Sequence, residues 1–460
     1  MVGTDPAAAG GLMSGSLRSD SLASDDALSL PLTGPQLGMW SAQQLDPDSP
    51  ALWTAEAVEL EGPLDEAALE AAIRETLQAC DALHMRYEGE GADVVQRLRE
   101  SRSVVIGRED YAGCDQPWDS AWRWMREDLL RPADLARRPL FATALIRLGA
   151  QRHLWYLRAH HIALDGFAYL LLIHRVAELY SARTGGRAAA AARDWSLAPL
   201  VAEEARYRAS PESARSREFW LQRCADRAEP VTLGPKCAPD DSARSSRLQL
   251  PAGEHQRWHH AARAIGVDWS AWLIAAVFAW MRARSGSDAI SLGLLVMNRL
   301  GSAALGVPCM GMNVVPLRLR LQPQWSFAEL ARAVAAELRE LRPHQRYNYE
   351  WLRQDLGLGD SHAQLYGPVL NLMPFDRGFV FDGLRSRAHP VSVGSVEDLD
   401  LTVSPLADGV RFDIEANPQA YDAATLDAHH RALVATMRAA LADSSLRLDQ
   451  LHSALAREAA

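Results

Sequence analysis

Apolar positions along this 460-residue chain fall into short strand-length runs and longer helical stretches, the pattern of a mixed α/β protein. Ala57-Val58-Glu59-Leu60-Glu61 reads as a strand, and a helix is predicted near Glu66 to Ala79. Leu154, Trp155, Tyr156 and Leu157 form an apolar, aromatic run of strand length. Leu172, Val176, Leu179 and Tyr180 then recur at helical spacing. Further on, the pattern predicts a helix around Ala202 to Gln222 and a strand at Ile290 to Val296. Leu317, Leu319 and Leu321 alternate with Arg318 and Arg320, as in a half-exposed strand.

Residues Trp269 to Met281 are apolar except for Ser270 and lie between Asp268 and Arg282. That run is too short to span a bilayer, so a buried core helix is expected. Between the two mixed regions, Ala182 to Arg193 is a low-complexity run of Ala, Gly and Arg, suited to a surface loop or linker. The expected organisation is a disordered leader at 1–29, an N-terminal lobe at 30–195 and a C-terminal lobe at 196–460. The length agrees with two lobes rather than one core.

Composition narrows the picture only a little. Hydrophobic residues make up 48% and charged residues 23%, ordinary for a soluble globular protein. The net charge of -10 argues against general nucleic-acid binding. Lys236 is the only lysine, and no Gly-Lys-Ser/Thr occurs, so a phosphate-binding Walker loop is excluded. The leader, rich in Gly, Ala, Ser and Asp, has neither a basic start nor an apolar targeting core. It reads as a docking tail or the remnant of a longer chain. Five cysteines without C-x-x-C spacing suggest reduced thiols, and the expected compartment is the cytoplasm, with no membrane partner. His255 and His259 stand four apart, but Gln256 replaces the glutamate of the zinc-protease pattern, so no metal is expected.

The chemistry concentrates in His160-His161-Ile162-Ala163-Leu164-Asp165-Gly166, placed between a predicted strand and a predicted helix. Histidine is the side chain best matched to proton handling near neutral pH. Asp165 can orient an imidazole or cap the helix, and Gly166 permits a tight reversal. Two other pairs, His259-His260 and His429-His430, lack the Asp-Gly step and read as helix positions.

His-His-x-x-x-Asp-Gly in this setting resembles the core motif of nonribosomal peptide synthetase condensation domains. Leu32-Thr33-Gly34-Pro35-Gln36-Leu37-Gly38-Met39-Trp40 resembles the first motif of that family. Asp81-Ala82-Leu83-His84-Met85-Arg86-Tyr87 resembles the second, with His84 where many members have arginine. Phe219-Trp220, Met297 to Leu305 and Pro343-His344-Gln345-Arg346-Tyr347 match the fourth to sixth. With Gly367-Pro368-Val369-Leu370-Asn371 and Ala416 to Asp422, the likeness is closest to starter-type domains. The enterobactin and bacillibactin synthetases begin with such domains, as do several lipopeptide synthetases.

The resemblance implies two chloramphenicol-acetyltransferase-like α/β lobes forming a V with a central tunnel. Bridges are expected near 297–313 and 373–397. It implies amide formation between a donor acyl thioester and the amine of an aminoacyl thioester. Carrier proteins would deliver both on 4′-phosphopantetheine arms, with acyl-CoA as another donor form and no cofactor bound by the domain itself. Carrier proteins and adjacent synthetase domains are the implied partners. His161 is the expected catalytic residue, as proton acceptor or as stabiliser of the zwitterionic intermediate. His160 is a structural partner, Asp165 pairs with Arg299, and Gly166 leaves room for an arm. Asn371 lines the tunnel or bonds substrate, with an ordinary polar strand position as the alternative.

Several other readings compete. CoA-dependent acyltransferases share His-x-x-x-Asp, epimerisation domains share the whole core, and heterocyclisation domains replace the first histidine with aspartate. A recruitment domain without catalysis typically loses the second histidine. The chain is expected to be either free-standing or the N-terminal piece of a larger synthetase.

Overall fold

The computed structural model describes residues 28–451 apart from 90, 189–190, 239, 241, 360–362, 374–377, 393, 395 and 407–408. Most of the expected leader therefore lies outside the described residues. Ser29, assigned to that leader, instead opens a strand and pairs with Arg97.

The first half runs β1 (Ser29–Pro31), α1 (Gly34–Leu45), β2 (Trp53–Glu61), α2 (Glu66–Ala79), β3 (Met85–Glu88), β4 (Val95–Leu98), β5 (Ile106–Asp110), α3 (Pro117–Leu129), β6 (Phe141–Gly149), β7 (Arg152–His160) and α4 (Gly166–Thr184). Its main sheet has the order β12-β2-β7-β6-β5, where β12 is Arg385–Ser392, a strand supplied from far along the chain. Thus Arg385–Ser392, within the segment expected to bridge near 373–397, forms an edge strand of the first sheet.

The second half continues with α5 (Ala198–Arg208), α6 (Pro211–Arg223), β8 (Arg244–Pro251), α7 (Ala252–Ala264), α8 (Trp269–Ser285), β9 (Ala289–Val296), β10 (Asn313–Arg320), α9 (Phe327–Leu341), α10 (Tyr349–Asp355), β11 (Val369–Leu372), β13 (Leu399–Leu406), β14 (Gly409–Ala416) and α11 (Ala423–Ala442). Its six strands are ordered β10-β9-β11-β13-β14-β8.

Two main cores follow this division. Leu200 packs with the first and Tyr207 with the second, so the change of core falls within α5. The single helix expected from Ala202 to Gln222 is two helices. Ser210 caps α6 by accepting from the Ser213 amide, and Pro211 occupies its first turn, where proline needs no hydrogen-bond partner. The loop expected from Ala182 starts later, because α4 runs on to Thr184.

The apolar run at 269–281 forms α8, with eleven buried residues, including Trp272 and Trp280. Apolar on all sides, it is the central helix of the second core. Among the described residues, no single helix is long and apolar enough to cross a membrane. Helices α7 and α8 reach that criterion only together and meet at 95°.

Candidate active site

The His-His motif begins on the last residue of β7 and ends at the cap of α4. His160 is fully buried, and the Ile162 amide donates to its Nδ1 at 3.2 Å. Its Nε2 therefore carries the hydrogen and donates to Gln43 Oε1 at 2.9 Å. Burial, aided by the neighbouring His161, pushes the His160 pKa down to about 3. His160 is thus a neutral packing and hydrogen-bonding residue, with the Trp53 ring edge-on at 5.5 Å.

His161 sits differently. Its backbone N–H donates to Leu52 O at 2.8 Å, and its Nδ1 lies 2.8 Å from Leu164 O. A carbonyl oxygen only accepts, so Nδ1 carries the hydrogen and the neutral ring keeps its lone pair on Nε2. Among the described residues, that Nε2 has no hydrogen-bond partner. The residue lines a cavity of about 750 Å³. Gly166 also borders this space, and a Cβ there would meet the Met373 methyl at 3.7 Å, an ordinary contact.

Asp165 is not part of the cavity lining. Its Oδ1 accepts from the Ala168 amide at 2.9 Å, capping α4. Its Oδ2 accepts from Arg299 at 2.7 Å and from the Gly311 and Met312 amides at 2.9 and 3.1 Å. Both side chains of the ion pair are fully buried. Burial opposes the Arg299 charge, but the adjacent Asp165 carboxylate, together with Cys309, outweighs it and holds the guanidinium pKa above its usual value. Arg299 also donates to the carbonyls of Ala304, Val307 and Cys309 at 2.6, 2.8 and 2.7 Å. One buried cation thereby folds the 299–309 loop onto the start of α4. Gly311 is fitted to this contact, since a Cβ there would lie 3.3 Å from the guanidinium.

The cavity lies between the lobes. Met39, Thr54, His161 and Tyr169 come from the first, and Asn371 and Thr402 from the second. Asn371 stands on β11 beside Thr402 of β13, on the strand face opposite the buried Leu370. His344 lies outside the cavity lining, stacked on Phe219 with ring centroids 4.0 Å apart, and its carbonyl accepts from Trp220 Nε1. His84 is a core residue whose Nε2 lies 2.9 Å from Leu77 O, at the end of α2.

A condensation domain family model matches residues 27–460. The chain belongs to the condensation domain family. It is 38% identical over 432 residues to a dimodular nonribosomal peptide synthase of Bacillus subtilis (strain 168), covering 93% of this chain and 18% of that protein. It is 38% identical over 427 residues to an isonitrile lipopeptide synthase of Streptomyces coeruleorubidus, covering 92% and 29%. Enterobactin synthase component F of Escherichia coli (strain K12) is 30% identical over 423 residues, with 91% and 33% covered. The chain spans a third or less of the length of each of these relatives.

Solved condensation domains match almost end to end. The first condensation domain of the calcium-dependent antibiotic synthetase, in complex with a substrate analogue, superposes with a TM-score of 0.84 at 31% identity, covering 93% of this chain and 99% of that one. A variant starter condensation domain of rhizomide synthetase, in complex with C8-CoA and Leu-SNAC, gives 0.84 at 31%, covering 92% and 96%. The fold is the two-lobed, chloramphenicol-acetyltransferase-like α/β architecture of this family.

This condensation domain also carries features its motifs did not announce. On β13 and β14, core positions such as Leu401 and Ile414 alternate with Asp400, Thr402, Asp413 and Glu415, which line the cavity. The alternation in Asp398-Leu399-Asp400-Leu401-Thr402-Val403 was the available signal. Asp400 stands directly across from Glu415, a like-charge pairing that opposes folding. Burial and the neighbouring Asp413 push the Glu415 pKa up to about 7. Burial, with Glu415 and Asp398 close by, also raises Asp400 well above the usual carboxylate range.

A raised carboxyl pKa makes the folded state bind its proton more tightly than the unfolded chain. The stabilising contribution is complete below the unfolded value and lost as pH rises through the folded one. Glu415→Gln is therefore expected to raise the melting temperature at about pH 8 and to leave it unchanged near pH 4. Thermal melts across that range check this, and no gain at the higher pH would remove the proposed strain.

Proposed function

We propose that this domain forms an amide between a starter acyl thioester and the amine of an aminoacyl thioester held on a carrier protein. The single observation that carries the reading is the His161 tautomer. With Nδ1–H held by Leu164 O, the Nε2 lone pair is left to receive a proton in a cavity walled by both lobes. The amine nitrogen attacks the thioester carbon, and the C–N bond forms as the carbonyl becomes an oxyanion. His161 Nε2 takes the excess proton from nitrogen, the oxyanion collapses to the amide carbonyl as the C–S bond breaks, and Nε2 returns that proton to the departing sulfur, which leaves as a thiol. Holding both reactants in one cavity makes the encounter effectively intramolecular, worth roughly 7–11 kcal/mol in well-oriented cases. Positioning therefore supplies much of the rate, with proton transfer added to it.

Carrier proteins with 4′-phosphopantetheine arms, and adjacent synthetase domains, are the partners this reading requires. Gly166 leaves room for an arm beside His161, and Asn371 meets substrate from the facing sheet. An acyl-CoA donor is a second form of the same reaction, favoured by the C8-CoA complex of the rhizomide starter domain. A recruitment role is disfavoured by the complete His160–Asp165–Arg299 framework. We place the reaction in the cytoplasm, where unpaired thiols such as those of Cys80, Cys224 and Cys309 persist.

The test is mass spectrometry of an aminoacyl carrier protein after incubation with a panel of acyl donors, each offered as CoA and as carrier thioester. An acylated aminoacyl carrier, formed with one donor handle in preference to the other, is the expected result. Hydrolysis of every donor with no acylated acceptor would overturn the reading.

A further inference from the structure

We propose that Gln43 is the positioning residue for the catalytic histidine, acting on His161 through His160. The inference rests on the reading that His161 is the reacting group. Gln43 lies near the end of α1 and is only 3% exposed. Its Nε2 lies within hydrogen-bond distance of three carbonyl oxygens, those of Asp46 at 2.9 Å and of Pro47 and Ser49 at 3.1 Å. Those carbonyls belong to the turn that leads from α1 into β2. Two hydrogens shared among three acceptors fix the amide's orientation, so Oε1 is the atom that faces His160.

The consequence at His160 follows from its other nitrogen. Nδ1 accepts from the Ile162 amide and Nε2 donates to Gln43 Oε1, so a single neutral tautomer satisfies both bonds. Burial disfavours the charged ring, which keeps this arrangement intact across the working pH range. The same turn runs on to Leu52, whose carbonyl receives the His161 backbone N–H at 2.8 Å. One side chain thus braces both the ring before His161 and the turn that holds the His161 backbone.

The network also reaches substrate. Met39 and Ala42, one turn and one residue before Gln43 on the same helix, line the cavity. The wall that substrate touches and the backbone that carries His161 are therefore joined through one buried amide. Reacting groups must be held to within roughly half an ångström by supporting hydrogen bonds, so loosening this amide should reach the chemical step before it reaches binding. No motif marks Gln43, because its partner His160 lies 117 residues away.

The experiment uses the full chain in two variants, Gln43→Met and Gln43→Glu. Methionine keeps the volume and removes every hydrogen bond, while glutamate keeps an acceptor for His160. Gln43→Met is expected to lower kcat by roughly tenfold or more while both thioester KM values stay within about threefold. In protein labelled with 15N-histidine, the His161 ring resonances should move with it. Gln43→Glu should recover part of the lost kcat.

Wild-type kcat in folded Gln43→Met would overturn the proposal. So would a fall in kcat with unmoved His161 resonances, or equal losses in the two variants. Should Gln43→Met not fold, Gln43→Glu decides alone: lowered kcat with displaced His161 resonances supports the role, and wild-type values of both overturn it. The ring resonances need no turnover, so an error about the reaction itself would leave that readout standing.

Discussion

His161→Ala is expected to remove nearly all amide formation while leaving the melting temperature almost unchanged. The reason lies in what the side chain touches. Its sole described hydrogen bond is the local one from Nδ1 to Leu164 O, and the ring is only partly buried against the cavity. Deleting it opens no sealed core and strands no buried charge, so a stability change within about 1 kcal/mol is expected. A positioned general base typically contributes roughly a hundredfold to ten-thousandfold in rate. The residual rate then measures what alignment of the two thioesters supplies by itself. Single-turnover kinetics with a parallel thermal melt check this. A folded variant with the full rate would place the proton transfer elsewhere.

The largest stability effect is expected at Asp165. Its carboxylate accepts four hydrogen bonds and neutralises a guanidinium with no exposed surface. Removing one partner of a buried ion pair costs roughly 3–5 kcal/mol, because the other charge is left uncompensated in a low dielectric. Asp165→Ala should therefore lower the melting temperature by several degrees, or abolish soluble yield, whatever happens to turnover. Asp165→Asn keeps the oxygen that caps α4 and should fall in between. The double variant Asp165→Ala/Arg299→Met should be less destabilised than the two single losses added together, since neither charge is then left alone. Calorimetric melts of the four proteins give the coupling directly. An unchanged melting temperature with lost turnover would instead place the Asp165 carboxylate in the chemistry.

These two effects separate the roles of residues only four apart, and the sequence made that separation partly readable. Strand, tight turn and helix around His160–Gly166 were legible because apolar periodicity changes across a short motif. The helix at Glu66–Ala79 was legible for the same reason, helped by Asp65, which accepts from the Ala68 amide as its cap. The Asp165–Arg299 pairing was not a local signal. Its partners are 134 residues apart, and only the family resemblance linked them.

Other features had no local expression at all. β12 pairs with β2 across more than 300 residues, although neither strand's pattern names its partner. The polar face of β13 and β14 looks like solvent exposure in sequence, because a cavity and bulk water impose the same alternation. Gln43 is an ordinary glutamine until the fold brings His160 against it. The break between α5 and α6 was readable in Ser210-Pro211, where a cap is followed by a first-turn proline, yet apolar spacing alone ran across it.

The central claim is direct transfer between two thioester-bound substrates in the cavity that His161 lines. Rapid-quench mass spectrometry of the donor carrier, the acceptor carrier and the domain, sampled within one turnover, tests it most directly. The prediction is that the acyl mass leaves the donor and appears on the aminoacyl acceptor at the same rate, with none on the domain. A transient acyl adduct on the domain itself, for instance on the cavity-lining Cys237, would contradict direct transfer.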